Sequence, residues 1–431
     1  MELDTGLPVV GMVGGGQLAR MTHQAGIAMG LSLRVLAVDE SDSAARVARH
    51  VTLGHHTDPQ ALRQFAEQCD VVTFDHEHVP NVLVAALSRD GHRVLPSAAA
   101  LVYAQDKLRM RQRLAELGFP VPAWRTVTGL ADLTDHAGDT GWPVVLKTAR
   151  GGYDGRGVWI AHNAREAAGL LKPGAAPDAP TMLAEAHVEI VRELACVVAR
   201  TPSGQVEAWP VVETVQDRGI CVEVIAPAPG LDPGRAREAR ELAVALATQL
   251  DVVGVMAVEL FDTGGSLLVN ELAMRPHNSG HWTIEGSRTS QFEQHLRAVL
   301  DYPLGDTDTT APWTVMANVL GGSLGGGSTR ERMRHLYAQD PAVRVHWYGK
   351  AARPGRKLGH VTVSGAEFGP TRDRARRAAR ILSSGPSLGD RGPDADRADV
   401  SQPHDSQPHG SQPHGSQPHG SQPHEVPERT R

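Results

Sequence analysis

The sequence predicts an α/β protein of two or three domains, and three stretches carry that reading. The first is a βαβ unit near the N-terminus, where Pro8–Val13 and Leu33–Val38 are apolar, strand-like runs around a helix that opens at Gly14-Gly15-Gly16-Gln17 and runs to about Gly30. The second is a glycine loop after the short apolar run Trp142–Leu146, reading Lys147-Thr-Ala-Arg-Gly151-Gly152-Tyr153-Asp154-Gly155-Arg156-Gly157-Val158. The third is a pair of apolar strands, Gly254–Phe261 and Ser266–Leu272, joined by the turn residues Asp262-Thr-Gly-Gly265.

At about 150 residues per domain, a chain of 431 residues holds two or three domains with ample core. Its hydrophobic content of 41% and charged content of 21% belong to a soluble globular protein. A net charge of −6 gives no reason to expect nucleic acid or an anionic membrane as partner. The N-terminus has no cationic segment of the signal-peptide kind, and no apolar run approaches the ~18 residues of a membrane span. Cys69, Cys196 and Cys221 are odd in number and lack CxxC spacing, so reduced thiols in a cytoplasm are expected.

Taken in order, the first βαβ unit ends in Asp39, an acid about 20 residues beyond the glycine turn, as in a Rossmann fingerprint. The glycines run GGGQ rather than GxGxxG, so a dinucleotide domain is a rival at this point and no more. Val71–Phe74 is a further parallel strand, followed by Asp75-His76-Glu77-His78 at the edge where such sheets meet ligands. Of these acids, Glu77 is expected to face a ligand and Asp75 to be a solvated loop residue. Asp106–Leu117 is an amphipathic helix, stopped by Gly118, Pro120 and Pro122, that connects to a second domain. Thr181–Glu185 is a strand, Arg192–Ala199 an alternating strand bearing Glu193, and Arg235–Leu250 a helix with Leu242, Ala245, Leu246 and Leu250 on its apolar face. Arg344–Val363 is strand-like around the basic turn Lys350–Lys357, and Arg372–Leu382 is a last, basic helix. From about Ser383 the composition turns to Ser, Gly, Pro and Asp. A five-residue repeat from Ser401 then places His404, His409, His414, His419 and His424 at fixed spacing. With proline in every repeat and no large apolar residues, this segment is expected to be disordered.

Four glycines in seven residues free the backbone for φ > 0 and let its N–H groups lie against an anion, with Lys147 as a point charge for a phosphate. A hairpin tip needing only flexibility has no use for Tyr153, Asp154 and Arg156 among those glycines. In the glutamate hairpin, pairing Asp262 with Ser266 around a three-residue loop sets Glu259 opposite Val269. Glu271 then falls on the same face, a diagonal of roughly 7–8 Å away. Two converging carboxylates are costly without a cation, and oxygen ligands suit Mg²⁺. Arg275-Pro-His277-Asn278-Ser-Gly-His281-Trp-Thr283 follows. Pro276 and Gly280 argue against a zinc-binding helix there, and a substrate-binding loop is the better reading.

Together, Lys147 with Gly151–Gly157, Glu259, Asn270-Glu-Leu-Ala, His277–Thr283, Tyr348-Gly-Lys350 and Arg353–His360 resemble the ATP-grasp carboxylases of purine biosynthesis, the family of the 5-(carboxyamino)imidazole ribonucleotide synthases, from about Val9 to Leu382. The resemblance implies a Rossmann-like pre-ATP-grasp domain at 1–105 and an ATP-grasp domain at 106–305 with its lid at roughly 124–190. A small C-terminal subdomain at 306–382 and the disordered, histidine-containing tail at 383–431 would follow. The implied activity joins bicarbonate to 5-aminoimidazole ribonucleotide through carboxyphosphate, with ATP and Mg²⁺ (or Mn²⁺), in a cytoplasmic homodimer whose partners are small molecules. Lys107 and Lys147 would hold phosphates beneath a lid of Gly152, Tyr153, Asp154, Gly155, Arg156, Gly157 and Val158. Glu185, Ala186, His187 and Val188 would line the adenine, Glu193 would take the ribose, and Gln216 and Asn270 would complete the nucleotide contacts. Glu259 and Glu271 would bind the metal, and Arg275 would steady bicarbonate. Gly16, Gln17 and Leu18, at a helix N-terminus, would meet the ribonucleotide with backbone N–H groups. Glu77, Tyr153, Arg156, His277, Lys350 and Arg356 would complete that pocket, with Arg275, Tyr153, Arg156, Glu77 and His277 as the catalytic set. The chain departs from the family at Gln216, where many members have His, at Asp75, where many have Glu, and at Met274, where many have Pro. A related formate-using transformylase would share the machinery. A catalytically silent nucleotide-binding regulator would lack Lys147, Glu259 or Glu271, and all three are present.

Overall fold

The computed structural model describes residues 6–152, 156–171, 182–322 and 327–384; Tyr153, Asp154, Gly155 and the histidine-repeat tail lie outside them. The chain begins with β1 (Val9–Val13), α1 (Gln17–Ala28), β2 (Ser32–Ala37), β3 (His50–Leu53), α2 (Pro59–Ala66) and β4 (Val71–Phe74). The four strands form a parallel sheet in the order β3-β2-β1-β4. Every residue of β4 is buried, as continuous apolar runs in parallel sheets are. Next come α3 (Asn81–Arg89), α4 (Ala98–Gln105) and α5 (Lys107–Glu116). Asp106 caps α5 by accepting from the N–H groups of Leu108 and Arg109.

A smaller antiparallel sheet follows, from β5 (Trp124–Val127), α6 (Leu130–Thr140), β6 (Val144–Thr148), β7 (Val158–Ala161), α7 (Ala164–Leu170) and β8 (Met182–Ala186), in the order β5-β8-β6-β7. Val127, Leu133, Val144, Leu146 and Ala184 give it a core of its own.

The third sheet has nine strands, all paired antiparallel. It takes β9 (Arg192–Arg200), β10 (Val206–Ala208), β11 (Val212–Asp217), β12 (Ile220–Ala226), α8 (Pro233–Gln249), β13 (Gly254–Asp262), β14 (Leu267–Ala273), α9 (Thr283–Gly286) and α10 (Gln291–Leu300). It continues through β15 (Trp313–Leu320), α11 (Thr329–Gln339), β16 (Arg344–Trp347), β17 (Lys357–Gly365) and α12 (Phe368–Ser384). The order is β14-β13-β9-β11-β12-β15-β17-β16, with β10 beside β9, so the sheet runs unbroken from the glutamate hairpin into the C-terminal strands. No helix among the described residues is long and apolar enough to cross a membrane.

Two expectations are corrected here. The buried stripe of α8 is Ala239, Ala243, Leu246 and Ala247, with Leu242 and Ala245 only half-buried; small side chains bring the helix close to β9. The last helix starts at Phe368, four residues before Arg372, because Pro370 falls in its first turn, where its missing N–H costs nothing. Its arginines do more than solvate a face. Arg372 and Arg376 both reach the buried Glu223 of β12 at 2.9 Å and fasten the helix to the sheet.

His295, fully buried on α10, joins the parallel sheet to the large one. The Val255 N–H donates to its Nδ1 at 3.1 Å, so Nε2 carries the proton and donates to Thr73 Oγ1 at 2.8 Å. Burial holds this imidazole down to about 4. Above the unfolded-state value near 6.5 the neutral ring favours folding, and that contribution is lost as pH falls through about 4. His295→Gln is therefore expected to remove about 3 kcal/mol of the stability difference between pH 7 and pH 4. Urea unfolding at both pH values checks this; an unchanged difference would contradict it.

Candidate active site

The β13–β14 hairpin sets the geometry of a cleft of about 1260 Å³. Asp262 pairs with Leu267, not Ser266, because the loop has four residues: the Thr263 N–H donates to the Ser266 carbonyl, and the Gly264 N–H to Asp262 Oδ1. A bulge between Glu259 and Leu260 then absorbs one residue. Glu259 and Glu271 consequently stand directly across from one another, closer than the diagonal the sequence suggested. Burial first, then Glu271 and Glu193, pushes the Glu259 carboxyl up to about 7, although Lys357 and Lys107 pull the other way. Lys107 Nζ lies 2.8 Å from Glu271, and His277 Nε2 lies 3.6 Å from Glu259. Burial, Arg275 and Lys357 hold His277 well below its ordinary value, so it brings no charge. The pair is short of positive charge. Two carboxylates on directly opposite residues fit a hard cation such as Mg²⁺, which takes one or two carboxylates and completes its shell elsewhere. Among the described residues, no group of three or more His, Cys, Asp and Glu is arranged to hold a metal.

Beside this pair, the buried Lys147 near the end of β6 reaches Glu185 at 2.6 Å and Asn270 Oδ1 at 3.1 Å. Glu185 is shared with Arg111, at 2.5 Å, and Arg111 also donates to the Asn270 carbonyl. Burial would raise the Glu185 carboxyl, but Lys147 and Arg111 outweigh it and hold it below the usual range. The Glu185 carboxylate is thus committed to the cation end of the cleft, while Ala186, His187 and Val188 line the cleft beyond it. The glycine loop is pinned at its base, where the Lys107 N–H donates to the Ala149 carbonyl and Arg150 meets Asp106 at 3.0 Å. Gly152 and Gly157 take φ of +80° and +76°. A Cβ would come within 2.6 Å of the Arg156 carbonyl oxygen at the first and 2.7 Å of Thr148 Oγ1 at the second, so both must be glycine. Glu193, raised by burial, shares a hydrogen bond with Gln216, and both line the cleft.

Gln17, Leu18, Glu77, Arg275, His277 and Lys350 also line the cleft, His277 next to Glu259. Glu77 accepts from Arg275 Nε at 2.6 Å and from the Met274 N–H, so it aims the guanidinium. Lys350 donates to Gln17 Oε1.

Four expectations change. Asp75 is no solvated loop acid: it is buried and accepts from the Gly16 and Ala19 N–H groups at 2.8 and 2.7 Å, capping α1. The Gly16 amide is therefore taken, and only Gln17 and Leu18 of that turn line the cleft. Gly16 is glycine because a Cβ would lie 2.1 Å from Asp75 Oδ2. Arg356 does not line the cleft; it turns to the Ala351 carbonyl, and its neighbour Lys357 faces in. Arg356 belongs to the turn before β17, its N–H donating to the Arg353 carbonyl, whereas Lys357 is the first residue of the strand. Arg156 is exposed and, with Gly157, away from the lining, while Gly152 and Val158 belong to it.

Arg111, Arg150, Lys357 and Gln105 were not foreseen. Arg111 had a signal: it lies four residues after Lys107, on the same helix face.

The chain is similar to known proteins over most of its length. Family models match in chain order: the ribonucleotide synthetase preATP-grasp domain over residues 7–105, the ATP-grasp domain over 112–292, and the phosphoribosylaminoimidazole carboxylase C-terminal domain over 314–374. The N5-carboxyaminoimidazole ribonucleotide synthase of Mycobacterium tuberculosis is 56% identical over 380 residues, 88% of each chain, and that of Corynebacterium ammoniagenes is 49% identical over 88% of this chain and 92% of its own. Among solved structures, the Thermus thermophilus synthetase superposes with a TM-score of 0.78 at 36% identity, covering 88% of this chain and 99% of its own. The Aspergillus clavatus synthase, in complex with ADP and 5-aminoimidazole ribonucleotide, superposes with a TM-score of 0.79 at 32% identity, over 87% and 98%.

Removing Arg111 tests the buried network. Arg111→Met leaves Glu185 with Lys147 alone and is expected to cost about 3–5 kcal/mol of folding stability, as broken buried ion pairs do. Urea denaturation measures it; a loss below about 1 kcal/mol would show that the pairing is dispensable.

Proposed function

The chain belongs to the N5-carboxyaminoimidazole ribonucleotide synthase family of ATP-grasp enzymes, and on that premise we propose that it is a ligase that uses ATP to carboxylate 5-aminoimidazole ribonucleotide with bicarbonate, in purine biosynthesis. The observation that carries this reading is the placement, in one cleft, of a cation-seeking glutamate pair, the lysines Lys107 and Lys147, and a further set of cationic groups, Arg275, Lys350 and Lys357.

ATP lies with its adenine against Ala186, His187 and Val188 and its ribose at Glu193 and Gln216. Its phosphates reach Lys107 and Lys147, which exchange carboxylate partners for phosphate oxygens. Glu259 and Glu271 would hold Mg²⁺, which supplies charge neutralisation on the phosphoryl oxygens. Arg275, aimed by Glu77, holds bicarbonate in line with the γ-phosphate. Attack by a bicarbonate oxygen forms an O–P bond and breaks the β–γ bridge, giving carboxyphosphate and ADP. Carboxyphosphate releases phosphate as its carbon passes to the exocyclic amine of the ribonucleotide, and the proton that the amine loses leaves with the phosphate. That ribonucleotide sits near Gln17, Leu18, His277 and Lys350, with Lys357 in the place first given to Arg356.

An enzyme with an unstable acyl phosphate must tie ATP cleavage to the acceptor. ADP formation is expected to be slow with ATP, Mg²⁺ and bicarbonate and to rise sharply on adding 5-aminoimidazole ribonucleotide. Formate should not replace bicarbonate, nor glycinamide ribonucleotide the acceptor. Coupled ADP detection over this panel decides: stimulation by formate with glycinamide ribonucleotide would point to the transformylase, and none by any acceptor to a silent regulator.

A further inference from the structure

Gln291 is fully buried at the start of α10, and its amide has a single possible orientation. Its Oε1 accepts from the His277 N–H at 2.8 Å, so its Nε2 is the donor, to the His277 carbonyl at 2.8 Å and to His281 Nδ1 at 2.9 Å. Because a donor faces it, His281 Nδ1 must carry a lone pair, and the ring's proton is on Nε2. Gly280 makes room for this clamp: a Cβ there would lie 2.4 Å from Gln291 Oε1. The His281 ring is itself 1% exposed, packed near Phe292, Tyr348 and His360, and it lines the cleft. Burial, followed by His277 and Lys357, holds this imidazole well below its ordinary value, consistent with a neutral ring that has one donor and one acceptor.

We infer that His281 presents its Nε2–H to the cleft as a donor for an anionic oxygen of the acceptor, and that Gln291 is the positioning residue that fixes that tautomer. The inference rests on the carboxylase reading for the identity of the ligand, and on the hydrogen bonds alone for the tautomer. Two oxygens have the right chemistry: the ribonucleotide phosphate and the carboxyl group being transferred. A donor set by a buried second partner is already aimed and needs no reorganisation when charge develops. The same clamp fixes both ends of the His277 peptide, so Gln291 holds two cleft histidines through one amide.

The full-length chain labelled with [¹⁵N]histidine tests this, with the His281 signal identified by its absence from His281→Gln. Long-range ¹H–¹⁵N correlations are expected to show the Nε2–H tautomer in the wild type. Gln291→Glu, whose carboxylate accepts only, should convert it to Nδ1–H or to imidazolium. In ADP formation with 5-aminoimidazole ribonucleotide, His281→Leu should lose about tenfold to hundredfold, the value of a hydrogen bond to a charged group. His281→Gln, with an amide nitrogen near the Nε2 position, should recover most of that. A loss confined to KM for the ribonucleotide assigns the phosphate; a loss in kcat assigns the carboxyl group. An Nδ1–H tautomer in the wild type, or unaltered kinetics in His281→Leu, would overturn the inference. If no acceptor stimulates the wild type, the carboxylase reading fails separately. The His281 donor is then judged by its tautomer and by whether inorganic phosphate or bicarbonate shifts its Nε2 signal, no shift counting against it.

Discussion

Glu259 and Glu271 face one another across two adjacent strands, and like charges at that spacing are unfavourable unless a cation lies between them. Much of the cleft can be understood as a response to that repulsion. Lys107 leans on Glu271, and the Glu259 carboxyl is held up to about 7. The nearest histidine is kept neutral by its own burial and by Arg275. Without the bulge, the ladder from this four-residue loop would have set Glu259 opposite Asn270 and turned Glu271 to the other face. The bulge that brings them together is a local cost retained where function is served.

The lysines are arranged to be released. Lys147 and Lys107 each hold a carboxylate that, on the proposed function, a phosphate would replace, leaving Arg111 with Glu185. On that reading Arg111 would keep a buried carboxylate from being abandoned when nucleotide binds, which would cost several kcal/mol. The cap on α1 follows the same logic. Asp75 consumes the Gly16 and Ala19 amides, leaving Gln17 to meet Lys350 in the cleft lining.

What the sequence revealed was what local chemistry encodes. Gly152 and Gly157 were legible because positive φ is a property of single residues, and the β1–α1–β2 unit because apolar periodicity is local. The family resemblance carried most of the remaining cleft assignments. What escaped depended on register or on distant pairing. A one-residue change in turn length and a bulge, each shifting the register by one, decided that Glu259 faces Glu271 and not Val269. A half-turn of the chain separated Lys357 from Arg356. Asp75 and Gly16 are 59 residues apart in sequence, and no spacing rule links them. The Gln291 clamp was hidden similarly, since a buried amide has no signature of its own.

The claim that the glutamate pair is a cation seat is tested most directly by Mn²⁺ binding in the presence of ADP, with free Mn²⁺ followed by electron paramagnetic resonance. Glu271→Gln and Glu259→Gln keep the shape of the hairpin and remove one anionic oxygen ligand each. Each is predicted to weaken Mn²⁺ binding by about tenfold or more, the loss of roughly 1.4 kcal/mol or more, with circular dichroism unchanged. Wild-type affinity in both variants would contradict the account.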